Sequence, residues 1–342
     1  AFFAVGIPGL LMALWVWTLK EPQRGASEGI VTPDDPEPFR GALEELRGIL
    51  PPLHFLNFIR LQAPRSYFLV NLIALAVILG GGYLLVQSTG SLAQWVALGI
   101  GVYAAFSWAQ SLALRDRATF EMIFKTRTLL YCVIAFPTMS FVTYGVGFWG
   151  PPFFQRIHGV SASEAGIVLG LSAAVGGWLG VTLGGVIADM LRTRTSRGKI
   201  YIGLASVFLS APTGVALLTT DDLTTAYVLN FIFAVTSPMW VGPGAATVND
   251  LVMPRMRAMA SAFYLLMVTF IGLALGPYLI GQISDTLTRS GTPSAEALQT
   301  GMLTGLGIYL LSLVMFILAA LNVEQDEGSR IERARALGEV VD

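Results

Sequence analysis

The chain has 342 residues, 54% of them hydrophobic and 13% charged, with a mean hydropathy of +0.66 and a net charge of −1. A soluble domain carries about 25% charged residues, so this composition excludes a water-soluble globule, and the near-neutral balance gives no reason to expect nucleic acid as a partner. A lone cysteine, Cys132, excludes an intrachain disulfide and a cysteine metal cluster, and His54 and His158 lie in separate loops with no ligand spacing around them.

A membrane-crossing helix needs about 20 mostly apolar residues. Nine runs qualify in chain order: residues 1–19, 67–87, 92–113, 128–150, 164–190, 200–219, 225–249, 257–284 and 300–323. The first, AFFAVGIPGLLMALWVWTL, opens without an initiator Met, a basic leader or a cleavage site, and reads as a helix cut from a longer protein. Residues 20–66 form a linker, polar and Pro-rich at first. It then carries Leu43, Leu46, Ile49 and Leu50 and, beyond Pro51-Pro52, Leu53, Phe55, Leu56, Phe58 and Ile59. That pattern predicts two short helices, either lying on the membrane surface or forming a small solvated pair. Runs 67–87 and 92–113 make a hairpin with a tight turn at residues 88–91, and residues 115–127 predict another interfacial helix. Residues 150–163, GPPFFQRIHGVSAS, read as a long turn, and the tail 324–342 alternates acids and bases like a solvated helix.

Run 164–190 organises the rest. Gly176, Gly180, Gly184 and Ala188 recur every fourth residue, which puts small side chains on one helix face where a second backbone can approach closely in lipid. The run ends in Asp189, followed by Arg192, Arg194, Arg197 and Lys199. With the start of the chain outside, every one of the 21 Lys and Arg except Arg156 and Arg289 falls on the inner side. Short basic loops stay cytoplasmic, so the C-terminus is expected there too.

The span interiors hold essentially no charge. Glu164, Asp189, Asp250 and Asp285 sit near helix ends, and Asn71, Asn230 and Asn249 are the amides in or near the spans. No HExxH, G-x-S-x-G or P-loop occurs, so neither an enzyme nor an ATP-driven pump is expected, and no metal or cofactor site is read. The spans offer aromatic and hydroxyl residues at helical spacing instead. Asn230, Phe233, Ser237, Trp240, Gly244 and Thr247 share one face; Tyr131, Thr138, Phe141 and Gly145 share another, on a helix that Pro137 is expected to bend; Tyr264 and Met267 mark a third. Such faces suit an amphiphile, with rings for an alkyl chain and hydroxyls or amides for a polar head, and they equally suit interhelical packing. Trp240 stands first among them, flanked by Pro238 and Gly242 where the helix is expected to unwind.

Four stretches together resemble one family. The opening helix with its EP-x-RG ending, FWGPPFFQRIHGVSASEAGIVLG, GGVIADMLRTRTSRGK and MPRMRAMASAFYLLMVTFIGLALGPYLIGQISD are similar to helix six, the helix seven–eight turn, the inner-loop signature and helix eleven of major facilitator transporters of the spinster branch. The resemblance implies an all-α polytopic membrane protein of the major facilitator fold: the C-terminal six-helix bundle (128–323) with helix six (1–19), a cytoplasmic linker (20–66), an inserted hairpin (67–113) and a cytoplasmic tail (324–342). It makes Gly272, Gly276, Pro277 and Gly281 the bend of helix eleven. It implies alternating access by two rocking bundles, a lysophospholipid or sphingoid substrate, and proton coupling through carboxylates of the other bundle. Gly185, Asp189, Arg194 and Arg197 become an inner gate, with Asp189 latching onto the positive N-terminus of a neighbouring helix. Met190 and Arg192 depart from the signature, which has a basic residue and a glycine at those places. A fourteen-span drug–proton antiporter shares the hairpin and is the alternative; a non-transporting scaffold or receptor is the more distant one. The expected partners are a lipid-like substrate, protons and membrane lipids, for a monomer in a bacterial plasma membrane.

Overall fold

The computed structural model describes residues 2–20, 38–50 and 52–339, and every regular element among them is helical. Helix α1 is Phe2–Trp17, α2 Pro38–Ile49, α3 Leu53–Arg60, α4 Arg65–Thr89, α5 Leu92–Arg115, α6 Arg117–Phe124, α7 Arg127–Ile157, α8 Ala162–Arg192 and α9 Gly198–Thr219. Then come α10 Leu223–Thr236, a 3-10 segment Ser237–Trp240, α11 Val241–Asp250, α12 Arg257–Met267, a π-helical segment Val268–Leu275, α13 Gly276–Arg289, α14 Ser294–Leu306, α15 Tyr309–Gly328 and α16 Arg330–Ala336.

Eight of the nine expected spans are long and apolar enough to cross a membrane. The first run instead forms α1, 16 residues or about 24 Å long, which is short of a 30 Å hydrocarbon core; its described side chains are exposed on every side. The long turn expected at 150–163 is half helix: α7 continues through Pro137, Pro151 and Pro152 to Ile157. Spanning helices tolerate proline because neighbouring helices re-satisfy the freed backbone groups. The helix stops where Gly159 turns left-handed at φ 67°, and Ser161 then caps α8 by accepting from the Glu164 N–H.

The small-residue face of α8 packs backbone to backbone. Gly176, Gly180, Gly184 and Ala188 are all buried, against residues 234–239 of α10 and the 3-10 segment. A methyl group on Gly180 would lie 3.0 Å from the Val235 carbonyl carbon, and one on Gly184 only 2.7 Å from that of Met239. Helix α7 is the central strut of the bundle, lying against α15, the π segment, α14 and α13. A Cβ on Gly276 would sit 2.5 Å from the Phe141 carbonyl oxygen, so the expected bend at Gly272–Pro277 is also the place where α13 meets α7 closely.

The hairpin α4–α5 lies on the α12–α13 side of this bundle. Trp108 stacks on Phe263 at 6.1 Å, Trp95 meets Tyr278 edge-on at 5.5 Å, and Gln94 Nε2 donates to the Ala274 carbonyl at 3.1 Å. His54, expected in a loop, is buried on α3, whose apolar face docks on the hairpin.

The cations gather at one end of the spans, called here the basic end. Asp250 Oδ2 takes Lys199 Nζ at 2.5 Å and Arg192 Nε at 3.8 Å, while the Asp250 carbonyl accepts from Arg330 at 2.8 Å. Arg192 also pairs with Glu327. The tail is therefore docked rather than solvated. Asp326 accepts from the Thr128 N–H at the start of α7, and Arg255 bridges Asp116 at 2.6 Å and Glu339 of the tail. Burial pushes the Asp116 carboxyl up, but hydrogen bonds from Arg255 and Thr119 outweigh it and hold the group at about 2. The charge alternation read as a solvated pattern is in fact matched to fixed groups on α7, α8 and α11 and in the turns before α9 and after α11.

Candidate functional site

A cavity of about 200 Å³ opens between α7, α8 and α10, toward the end opposite the basic one. Its polar groups are Thr143, Asn230 and Ser237; Phe233, Val146 and Leu169 are its larger apolar walls, and Gly147, Gly150, Ala173 and Gly177 leave the room. Thr143 Oγ1 and Ser237 Oγ share a hydrogen bond at 2.7 Å. Asn230 lines this space, is half-buried, and has no side-chain hydrogen-bond partner among the described residues.

Three of the nine residues singled out for substrate contact, Asn230, Phe233 and Ser237, come together here. Thr143 was missed, although Thr143, Gly147 and Gly150 form a small stripe at i, i+4, i+7 on α7, the same kind of signal that picked out the α8 face.

The other candidates lie elsewhere. Trp240 is 5% exposed and stacks on Phe136 at 5.8 Å inside the bundle core. A uniform α-helix would keep it on the face of Asn230 and Phe233. The 3-10 segment Ser237–Trp240 interrupts the α-helix there, and Trp240, its last residue, packs among core aromatics. Gly244 and Thr247 follow it into the core. Tyr264 meets Phe136 edge-on at 6.2 Å, and its hydroxyl, like Trp240 Nε1, is buried without a partner. Thr138 is buried at the α7–α15 contact and shares a hydrogen bond with Ser312 Oγ at 2.8 Å. Phe141 is buried beside Gly305, and Tyr131 and Met267 pack half-buried against the core. For these six the packing role, which the sequence left open beside the cavity role, describes the contacts they make.

The gate candidates divide as well. Asp189 and Arg194 are exposed, and neither side chain has a hydrogen-bond or ion-pair partner among the described residues. Gly185 faces open space, since a methyl there would meet nothing within 4 Å. Arg197 is engaged within the bundle, donating to Glu324 at 2.9 Å. The Asp250–Arg192–Lys199–Glu327 cluster that closes the basic end was missed, because its members lie on four separate helices or turns.

A family model described as Major Facilitator Superfamily matches residues 1–277. An MFS-type efflux pump of Mycolicibacterium smegmatis is 27% identical over 297 residues, covering 82% of this chain and 68% of that protein. Protein spinster homolog 1 of Mus musculus is 30% identical over 213 residues, covering 56% of this chain and 40% of that protein. The chain thus spans less than half the length of the spinster homologues it matches. A solved bacterial homolog to the human lysosomal transporter spinster, inward-facing and occupied, is similar in fold, with a TM-score of 0.51 at 21% identity over 68% of this chain and 59% of that one.

Proposed function

The chain belongs to the major facilitator superfamily, and from that premise we propose that the protein carrying it is a secondary transporter that moves an amphiphilic lipid of the lysophospholipid or sphingoid type. Alternating access, with the chain's bundle rocking against a second one, is the proposed mechanism, and protons are the proposed coupling ion. The carrying observation is the α7–α8–α10 cavity, where Phe233 and Leu169 offer apolar surface beside Thr143, Asn230 and Ser237. About 200 Å³ is below the roughly 300–1,000 Å³ that a drug-sized ligand fills, so this wall holds one end of the cargo and the second bundle covers the rest. The lipid cargo is the one implied by the resemblance to the spinster branch, and spinster homologues are among the relatives.

Asp189, Arg194 and Gly185 are proposed as the contact to the second bundle at the basic end. All three are presented outward and unengaged, whereas Arg197 serves as the strut that holds α9 to α15. A monomer in a bacterial plasma membrane is proposed as well, with the C-terminus cytoplasmic, an orientation that the cation asymmetry supports.

Lysophosphatidylcholine binding to the detergent-purified protein tests the cavity. Phe233→Leu, which keeps apolar bulk because the ring is only 5% exposed and also packs in the core, and Asn230→Leu are each expected to weaken binding about tenfold, the equivalent of about 1.4 kcal/mol, with folded yield retained. Binding equal to the unsubstituted protein in both variants contradicts the assignment. Drug efflux is a second reading of the same cavity, favoured by one observation: the mycobacterial efflux pump aligns over more of this chain than the spinster homologues do. A cationic dye that competes with the lysolipid at this site supports efflux.

A further inference from the structure

The hairpin carries a buried polar cluster that the transport cavity does not use. His54 of α3, Asn71 of α4 and Ser107 of α5 are 0% exposed, and Tyr103 and Gln110 of α5 are nearly so. Asn71 is the hub. Its amide donates to Ser107 Oγ at 3.1 Å and to Gln110 Oε1 at 2.8 Å, and its carbonyl accepts from the Tyr103 hydroxyl at 2.7 Å. The Tyr103 proton is thereby spent. At 3.0 Å from His54 Nε2 the tyrosine oxygen can only accept, so the network assigns the ring proton to Nε2. Asn71 Oδ1, 3.3 Å away, is the second acceptor within reach of that N–H. His54 Nδ1 is left as a bare lone pair, buried and without a partner. Phe55 and Phe58 wall the ring, with centroids at 4.1 and 5.8 Å.

We propose that His54 is a proton-binding latch: neutral, it pins the linker helix α3 to the membrane hairpin, and protonation at Nδ1 frees α3. The new N–H bond is made with a proton from solvent, and the ring becomes a cation. In the closed pocket only the Leu50 carbonyl is near enough to favour the charged ring, and the buried cation has no counter-ion among the groups around it, so the charged ring is more stable where water reaches it. Tyr103 is the titratable group bonded to His54. On α2, Glu44 is committed to Arg60 and Glu45 to Arg115; Arg47 and Arg65 are exposed, and the Tyr67 ring faces Phe58.

The sign follows from the direction of the shift. Burial lowers the His54 pKa below the ordinary 6.5, partly offset by the Asn71 and Leu50 hydrogen bonds. Above 6.5 both docked and freed forms are neutral and docking is at full strength; below it the freed form takes the proton first, and the freed-to-docked ratio rises by up to tenfold per pH unit. His54 acts beside other contacts of the linker with the hairpin, Phe55 and Phe58 against Phe68 and Tyr67 and Glu45 on Arg115 and Trp108, and it is the member of that set whose charge changes in mild acid.

Spin labels at Leu56→Cys on α3 and Arg117→Cys on α6, in a Cys132→Ala background, report the event as an interspin distance. A single distance is expected at pH 8, with a second, longer population growing below pH 6.5. His54→Gln, neutral at every pH, is expected to hold the single distance at pH 8 and pH 5.5. Tyr103→Phe removes the acceptor of Nε2–H, weakens docking and moves the transition up toward 6.5. An unsubstituted protein with one distance down to pH 5, or a His54→Gln variant that keeps the transition, overturns the proposal. Should His54→Gln free α3 at every pH, Tyr103→Phe decides: an upward move supports the latch and an unmoved transition rejects it.

Discussion

Gly184→Ala is expected to lower the melting temperature of the purified protein by about 5–10 °C, while Gly185→Ala next to it changes it by no more than about 2 °C. The contrast comes from what each new methyl group meets. At Gly184 it would lie 2.7 Å from the Met239 carbonyl carbon, 2.8 Å from its Cα and closer still to its oxygen, all backbone atoms of the 3-10 segment that cannot rotate away. Helix α8 would have to lift from α10, and Gly180 against Val235 and Gly176 against Ala234 would lose their contacts with it. Overpacking of this kind costs about 1–3 kcal/mol, at the upper end where backbone must move, and about 2–4 °C accompanies each kcal/mol in a chain of this class. At Gly185 the methyl meets nothing. Fluorescence-detected melting in detergent measures both. Equal melting temperatures for the two variants would mean that the α8 face does not hold the bundle together.

Trp240 gives the second large effect. Trp240→Ala is expected to cost about 3–5 kcal/mol, because it empties an indole-sized volume in a core the chain has no means to collapse. The ring stacks on Phe136, which in turn meets Phe316 edge-on at 4.9 Å and Tyr264 at 6.2 Å, so the loss falls on Phe136 directly and on the two rings packed against it. Trp240→Phe behaves oppositely. Trp240 Nε1 is buried with no partner, and an orphaned donor costs about 1–3 kcal/mol; phenylalanine keeps a ring against Phe136 and removes the donor. Melting temperature in the Phe variant is therefore expected to equal or exceed that of the unsubstituted protein, with lysolipid binding intact. Retained stability together with lost binding would instead assign the indole N–H to the cargo.

What the sequence made legible and what it hid differ in kind. Span lengths and the every-fourth-residue face of α8 depend on composition and periodicity within one segment, and both appear in the structure close to where they were read. Helix α7 ran past its expected end because Pro151-Pro152 signals a turn in water but not in a span with neighbours to satisfy the backbone. Trp240 was placed on the cavity by helical spacing, which does not separate a cavity wall from a core contact: Phe233, on the same face, belongs to the core cluster as well. The His54 cluster had a local trace, since Tyr103, Ser107 and Gln110 form a polar stripe at i, i+4, i+7 on an apolar helix. The stripe alone does not say that Asn71 and His54 complete it, because those contacts span from 17 to 49 residues of chain. Asp250 was read as a helix-end charge for the same reason: its partners come from α8, α9 and the tail.

Flux across phospholipid vesicles holding the purified protein tests the central claim most directly, with radiolabelled lysophosphatidylcholine and a cationic dye offered in parallel. The account predicts saturable lysolipid accumulation at least tenfold above empty vesicles, enlarged by a pH gradient and cut by Asn230→Leu, with the dye left behind. Dye movement without lysolipid movement, or lysolipid flux no greater than in empty vesicles, contradicts it.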